Sequence, residues 1–355
     1  MNKAAYTTDV PEDRLTLLDG LSSRTGPVKV MLIGGTDSGK TTLLTFLANG
    51  LIERGLRVAV VDSDVGQKGI LPPATVSLAF PDGPFSSPSE LSGEAHYFIG
   101  TTSPGQYIGE MAVAVKRLSD IAAERADVVL IDTTGFVTGP GFDMKRLKAE
   151  LVRPDVIVFL EREGELNDLK NALAPYGETV TLKVSSKARE HSREERREVR
   201  REKWKAYFAG STLVEVDLTE ITPGGTELFR GRPLIPEETE LISAIFRWLV
   251  LAGWKGERYT VVKAESEGHS RQYSRAVLKA VDFDRLSNLL VGFIDGNGLC
   301  LGVGLLKWIN FSEMRAHVLT PLPVEAVEKA VELRFGRVRV LETGEELGLL
   351  SRDEL

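Results

Sequence analysis

The segment Gly34-Gly35-Thr36-Asp37-Ser38-Gly39-Lys40-Thr41 has the spacing G-x-x-x-x-G-K-[ST]. Its chemistry follows from its parts. A glycine-rich turn aims successive backbone N–H groups at one point, and the helix that follows adds the positive end of its dipole. Lys40 can reach β- and γ-phosphates, and the Thr41 hydroxyl can hold Mg²⁺. Gly35, Thr36, Asp37, Ser38, Gly39, Lys40, Thr41 and Thr42 are therefore the expected cradle of a nucleoside triphosphate. No Asn-Lys-x-Asp element is present to read guanine. GTP specificity of the small-GTPase kind is therefore not expected, and ATP or a promiscuous preference stays open.

A second set of candidates lies in Val61-Asp62-Ser63-Asp64-Val65-Gly66-Gln67. Alternation along a strand puts Asp62 and Asp64 on one face. One of the two would bind Mg²⁺, and the other would accept a proton from an attacking hydroxyl. Two more polar, glycine-bearing stretches follow apolar runs: Thr101-Thr102-Ser103-Pro104-Gly105-Gln106 and Asp132-Thr133-Thr134-Gly135-Phe136. Finally, Lys187–Lys205 carries nine Lys/Arg and five Glu. Arginines 189, 193, 197 and 200 fall near one helical stripe, with glutamates 190, 194, 198 and 202 beside them. The bland reading of that stretch is a solvated helix of Glu–Arg pairs, each worth a few tenths of a kcal/mol.

These residues need a frame. Val28–Gly34, Arg57–Asp64, Ala95–Gly100, Asp127–Gly135, Asp155–Glu161 and Thr181–Val184 are short apolar runs separated by helical stretches. That alternation predicts a doubly wound parallel sheet with helices on both faces, an α/β P-loop fold whose ligands sit at the carboxyl ends of the strands. The expected organisation is a short N-terminal arm or hairpin over 1–27, a P-loop domain over 28–235 that includes an arginine helix over 187–209, and a β-rich domain over 236–355. A helix over 237–252 should open the last domain. The Asp295-Gly-Asn-Gly298 turn should join two of its strands. Its Arg258, Lys263, Arg271, Arg275 and Lys279 are candidate phosphate contacts, although a solvated surface is the better reading.

Composition sets outer bounds. The chain has 355 residues, 42% hydrophobic and 27% charged, enough for a large core. A formal net charge of −7 argues, taken alone, against a partner made of phosphates. The single cysteine, Cys300, excludes an internal disulfide and fits a reducing, cytoplasmic setting. No apolar run is long enough to span a bilayer. The four histidines lack metal-ligand spacing.

The ordered set G-x-x-x-x-G-K-T-T, D-x-D-V-G-Q, the T-S-P loop, D-T-T-G-F and an arginine helix ending in Tyr207-Phe208 resembles the polynucleotide 5′-hydroxyl kinase family, over about residues 28–220. The D-V-G-Q element and the arginine helix carry the resemblance, since the phosphate loop is shared by many enzymes. It implies Mg²⁺-dependent transfer of the γ-phosphate of ATP or GTP to the 5′-hydroxyl of RNA, with DNA left open. It implies that Lys40 and Thr41 hold the triphosphate and Mg²⁺, and that Asp64 activates the hydroxyl. Asp62 is taken with Thr41 as the metal pair. An R-x-x-x-R element on a lid would close over the phosphates. Arg196 and Arg200 align best with it, ahead of Arg193 and Arg197. Gln67, Thr102, Phe136, Arg193 and Arg197 are the candidate substrate contacts, Phe136 as a stacking face for a terminal base. Relatives with a folded N-terminal domain use it to hold the nucleotide base. Only about 26 residues precede the first strand here, which favours a permissive nucleotide site. The alternative is a nucleotide-bound scaffold of an RNA-processing complex without turnover. A partition-type ATPase ranks last, because Gly34-Gly35-Thr36 lacks the early lysine of that group. Protein partners through the C-terminal domain stay open.

Overall fold

The computed structural model describes residues 10–264, 272–351 and 354–355. It divides into two units, Met1–Lys203 and Trp204–Leu355.

In the first unit, strands β1 (Val28–Gly34), β2 (Val58–Ser63), β3 (Thr75–Ala79), β4 (Ala95–Phe98), β5 (Val128–Thr133), β6 (Val156–Glu161) and β7 (Glu178–Lys183) form one sheet, in the order β4-β3-β2-β5-β1-β6-β7. The pairs β2–β5, β5–β1, β1–β6 and β6–β7 are parallel. The pairs β2–β3 and β3–β4 are antiparallel. The expected doubly wound sheet is thus a five-strand parallel core with an antiparallel edge. The Ala95 strand sits on that edge, and β3 was not anticipated.

Alternation on the central strand explains the two cores. Val30 and Leu32 face α1 (Glu12–Ser22) and α2 (Lys40–Glu53), where Leu18, Leu44 and Leu47 are buried. Met31 and Ile33 face the opposite core, with Ala149 of α4 (Pro140–Val152) and Leu169 and Leu173 of α5 (Asn167–Leu173). Helix α3 (Ile108–Ala123) packs beside α4. The N-terminal stretch is therefore not an arm or hairpin. From Glu12 it is a helix held by the buried Leu17, Leu18 and Leu21. Three buried leucines in eleven residues suffice because they meet an existing apolar layer.

Helix α6 (Arg193–Phe208) contains the division between the units, which falls at Lys203. The second unit begins with its last turn, where Trp204 is fully buried and its Nε1 donates to Glu346 at 3.2 Å. Strands β8 (Thr212–Asp217) and β9 (Thr222–Gly224) also belong here: β8 pairs with β16 (Arg315–Thr320), and β9 with β17 (Glu332–Val340). The expected boundary near Pro236 is therefore too late. One sheet runs β18-β17-β14-β15-β16-β8, with β14 (Leu289–Ile294), β15 (Cys300–Asn310) and β18 (Glu346–Leu349). The other, β10-β11-β12-β13, uses β10 (Arg232–Pro233), β11 (Val250–Lys255), β12 (Tyr259–Lys263) and β13 (Leu278–Asp282). The helix expected over 237–252 ends at Phe246 as α7 (Pro236–Phe246), because Arg247 turns left-handed (φ 56°) and β11 starts at Val250. A short helix, α8 (Val324–Val327), precedes β17.

Candidate active site

The phosphate loop begins where β1 ends. Gly39, at φ 87°, caps α2 in a conformation that suits glycine, and Asp37 shares that region at φ 56°. Lys40 is buried, and its Nζ donates to the carbonyls of Gly34 (3.0 Å) and Gly35 (2.7 Å). Burial pulls its ammonium below the ordinary lysine value, opposed by Asp132, Asp64 and Asp37. The D-T-T-G loop presses on the phosphate loop from β5. A Cβ on Gly135 would lie 2.6 Å from the Thr36 backbone, so only glycine fits there.

Thr41 and the strand ends assemble the next layer. The Thr41 Oγ1 donates to Asp132 Oδ2 at 2.7 Å. The other carboxylate oxygen, Oδ1, is buried without a hydrogen-bond partner among the described residues. Burial pushes the Asp132 carboxyl up to about 6, while Lys40 and Thr41 pull the other way. Ser63 Oγ donates to the Asp132 carbonyl and Thr133 Oγ1 to the Leu32 carbonyl, both at 2.7 Å, which ties the ends of β2, β5 and β1 together.

Asp62 does something different from what its position suggests. It is 3% exposed. Its Oδ1 accepts from the Asp64 N–H, and its Oδ2 accepts from the N–H groups of Gly69 (2.7 Å) and Ile70 (2.8 Å). The buried Lys68 ammonium lies 3.3 Å from Oδ2. A carboxylate so engaged organises the loop after β2, with one backbone N–H on Oδ1 and two more and an ammonium at Oδ2. Asp132, which accepts from Thr41 and has the orphaned oxygen, stands beside Asp62 as a second candidate for that metal role. Asp64 lies just past the strand, not on it. Its Oδ1 accepts from Gly66 N (3.0 Å) and Gln67 N (2.9 Å), which fixes the side chain.

The phosphate loop from Thr36 to Thr42, with Asp64, Gln67 and Phe136, lines a cleft of about 690 Å³, while Asp62 and Asp132 stand behind its wall. Arg196 and Arg200 line it; Arg193 and Arg197 do not, and both are exposed. Thr102 does not line it either; its carbonyl backs Gly66. Asp37 lines the cleft with the rest of the loop, and its carboxylate is engaged by the lid. It accepts from His191 N, His191 Nδ1 and Arg196 Nη1, each at 3.0 Å. Burial would raise its pKa, yet His191 and Arg196 hold it below the ordinary carboxylate value. The lining also has apolar side chains: Val10 and Pro11 just before α1, Phe46, Leu160 and Ala188.

Sequence reasoning missed Lys145 and Lys148 of α4, both 0% exposed. A signal was available. The buried stripe Gly141, Met144, Lys145, Lys148, Ala149, Val152 has helical spacing, and two lysines interrupt it. In the second unit, Arg258 and Lys279 pair with Glu227, and Lys263 with Asp282. These three candidate phosphate contacts are engaged within their own unit. Arg275 is exposed, and Arg271 lies outside the described residues.

Residues 34–210 match the family described as mRNA cleavage and polyadenylation factor CLP1 P-loop. The chain is 60% identical to the polyribonucleotide 5′-hydroxyl-kinase of Thermococcus kodakarensis, with 100% of both chains covered. It is 51% identical to that of Pyrococcus horikoshii, covering 100% of this chain and 97% of the relative. The chain belongs to the polyribonucleotide 5′-hydroxyl-kinase family. Human Clp1, of the same family name, is 33% identical over 195 residues, 52% of this chain and 46% of its own. A solved Clp1p–Pcf11p complex shares the fold, with a TM-score of 0.60 at 12% identity over 92% of this chain and 79% of that one. A kinase family with this loop uses a nucleotide phosphate donor.

The residues present fit a magnesium ion of the kind such kinases use. Among the described residues no three His, Cys, Asp or Glu side chains form a metal cage. Mg²⁺ in nucleotide sites is held by one or two protein oxygens together with phosphates and water. Thr41 Oγ1 and the orphaned Asp132 Oδ1 are such oxygens. No helix among the described residues is long and apolar enough to cross a membrane.

Proposed function

We propose that this protein transfers the γ-phosphate of a nucleoside triphosphate to the 5′-hydroxyl of RNA, in RNA processing or repair, with Mg²⁺ as cofactor. The observation that carries the reading is the convergence of Lys40, Asp64, Arg196 and Arg200 on one cleft. Thr41 and Asp132 would hold Mg²⁺, which neutralises developing charge on the phosphate oxygens. Asp64, fixed by two backbone N–H groups, accepts the proton of the 5′-hydroxyl as its oxygen bonds to the γ-phosphorus. The bond from that phosphorus to the β-phosphate oxygen breaks, and the diphosphate leaves. Lys40 and the two guanidinium groups stabilise the charge of the transferring group; arginine suits this because it stays charged and binds bidentately. Phe136, partly exposed beside the cleft, offers a stacking face to the terminal base. The apolar walls at Val10, Pro11 and Phe46 support a nucleotide site that grips the base by its faces and accepts more than one NTP.

The test is a panel of four γ-labelled NTPs against 5′-hydroxyl RNA and DNA oligonucleotides. Transfer to RNA is expected, and Lys40→Ala and Asp64→Asn should each abolish it. No transfer from any NTP to any oligonucleotide sinks the reading and leaves the silent scaffold. The intact Asp64 and Arg196/Arg200 set favours turnover over that alternative.

A further inference from the structure

Two lysines with no exposure in a helix interior need a reason, because a buried amine without partners is costly. In α4 both have partners, and every partner belongs to a strand end that carries the site. Lys145 Nζ donates to the carbonyl of Thr134 at 2.7 Å and to its Oγ1 at 3.1 Å. Thr134 lies between Asp132 and Phe136. Lys148 Nζ donates to Ser63 Oγ at 3.1 Å. Ser63 lies between Asp62 and Asp64, and the same hydroxyl donates to the Asp132 carbonyl. A chain of contacts therefore runs from Lys148 through Ser63 to the backbone of Asp132. Neither amine lines the cleft.

The surrounding charges fit this arrangement. The ends of β2 and β5 bring Asp62, Asp64 and Asp132 together, and each helps hold Lys148 charged against the burial that pulls it down to about 7. Burial pulls Lys145 well below the ordinary lysine value, with Lys148 and Lys40 adding to it and Asp64 and Asp132 opposing. Lys40 faces these carboxylates from α2, Lys68 from the loop after β2, and Lys203 from α6.

We infer that Lys148, seconded by Lys145, is a positioning residue for phosphoryl transfer: from behind the sheet the two amines lock the ends of β2 and β5, and so hold Asp64 and Asp132 in their working places. This rests on the kinase reading. A base and a metal ligand on adjacent strands must keep a fixed separation, and a misplacement of about 1 Å can cost roughly 100-fold in rate.

The experiment uses the full chain in the transfer assay, with wild-type turnover as the control for the kinase reading itself. Lys148→Met keeps the side chain's length and removes its charge and donors. We expect kcat to fall roughly 10- to 100-fold, with the KM for NTP unchanged. Ser63→Ala should lower kcat in the same direction, and the double variant should be no worse than Lys148→Met alone, because both break one chain of contacts. If Lys148→Met does not fold, Ser63→Ala decides, as it changes little volume: reduced kcat at an unchanged melting temperature supports the inference, and wild-type kcat overturns it. A folded Lys148→Met with wild-type kcat overturns it too. So does a kcat that falls only in step with the folded fraction. Absence of turnover by the wild type would instead refute the kinase reading.

Discussion

Asp37 is a carboxylate inside a loop expected to receive a polyanion, and the structure says what it holds instead. Arg196 is 3.0 Å from it, with the two side chains 27% and 15% exposed. For Arg196 to meet a γ-phosphate it must weaken that pair. A part-exposed charge-assisted pair contributes about 1 kcal/mol, above the surface median and below a buried pair. Asp37→Asn keeps the shape, keeps one acceptor oxygen and tolerates the left-handed backbone, since asparagine visits that region readily. It removes the charge. If the pair competes with the phosphate for Arg196, the released free energy appears as tighter nucleotide, and about 1 kcal/mol lowers the KM for NTP roughly fivefold. The assay is steady-state transfer at fixed oligonucleotide, for wild type, Asp37→Asn, Arg196→Ala and the double variant. Arg196→Ala alone should raise the KM and lower kcat. In that background Asp37→Asn should give no gain, because nothing is left to release. The difference should also shrink at high salt, as a part-exposed pair is screened. A KM that rises in Asp37→Asn, or a gain that persists without Arg196, refutes the competition argument.

Other changes separate roles the sequence alone would merge. Asp62→Asn should act on stability: it breaks a buried pair with Lys68 and sets an amide against three backbone donors, so a loss of about 3 kcal/mol or more should lower the melting temperature by roughly 5 °C or more. Its Mg²⁺ requirement should match the wild type, and a shifted Mg²⁺ dependence would return Asp62 to the metal site. Phe136→Ala should raise the KM for the oligonucleotide roughly 5- to 100-fold, the value of one stacked base, and leave the KM for NTP alone; an unchanged oligonucleotide KM would make Phe136 a packing residue. His96, whose Nδ1 meets Ser77 Oγ at 2.8 Å, is pulled down to about 4 by burial and by Lys68. Its folded pKa is below the unfolded value, so the unfolded chain binds the proton first: stability should be full above about pH 6.5 and fall as pH drops toward 4, by at most about 3 kcal/mol and nearer half that for a part-buried ring. Denaturant titrations of His96→Gln should lack that part of the slope.

What could be read from the sequence was local. The phosphate loop is a strand, a turn and a helix in one stretch, so its residue types and its geometry arrive together. Arg196 and Arg200 were legible as an i, i+4 pair, although periodicity alone could not say which of four arginines face the cleft. The failures share one cause, contacts made by residues far apart in the chain. Asp62 was misread because strand alternation describes where a side chain points and not which N–H groups fold back onto it; here they come from Gly69 and Ile70. Helix α1 was missed because its three buried leucines gain their value only from the layer they meet. The domain boundary was misplaced because β8 finds its partner β16 about a hundred residues later.

The net charge of −7 seemed to oppose a phosphate-bearing partner. The site shows why that total misleads. Around the ends of β2 and β5 stand three carboxylates, Asp62, Asp64 and Asp132, and facing them are Lys40, Lys68, Lys148 and Lys203. Arg196 and Arg200 add to these from the cleft wall. The local balance is positive although the chain is acidic. Buried lysines contribute to it without advertising a basic surface, because they stand behind the sheet and act through hydrogen bonds to strand ends. An enzyme that must receive a triphosphate and one chain end at a single point needs this kind of charge, concentrated and desolvated, since a fixed cation in a dry site interacts far more strongly than one on the surface. An acidic exterior is compatible with that requirement. It limits the attraction to the few phosphates that reach the cleft.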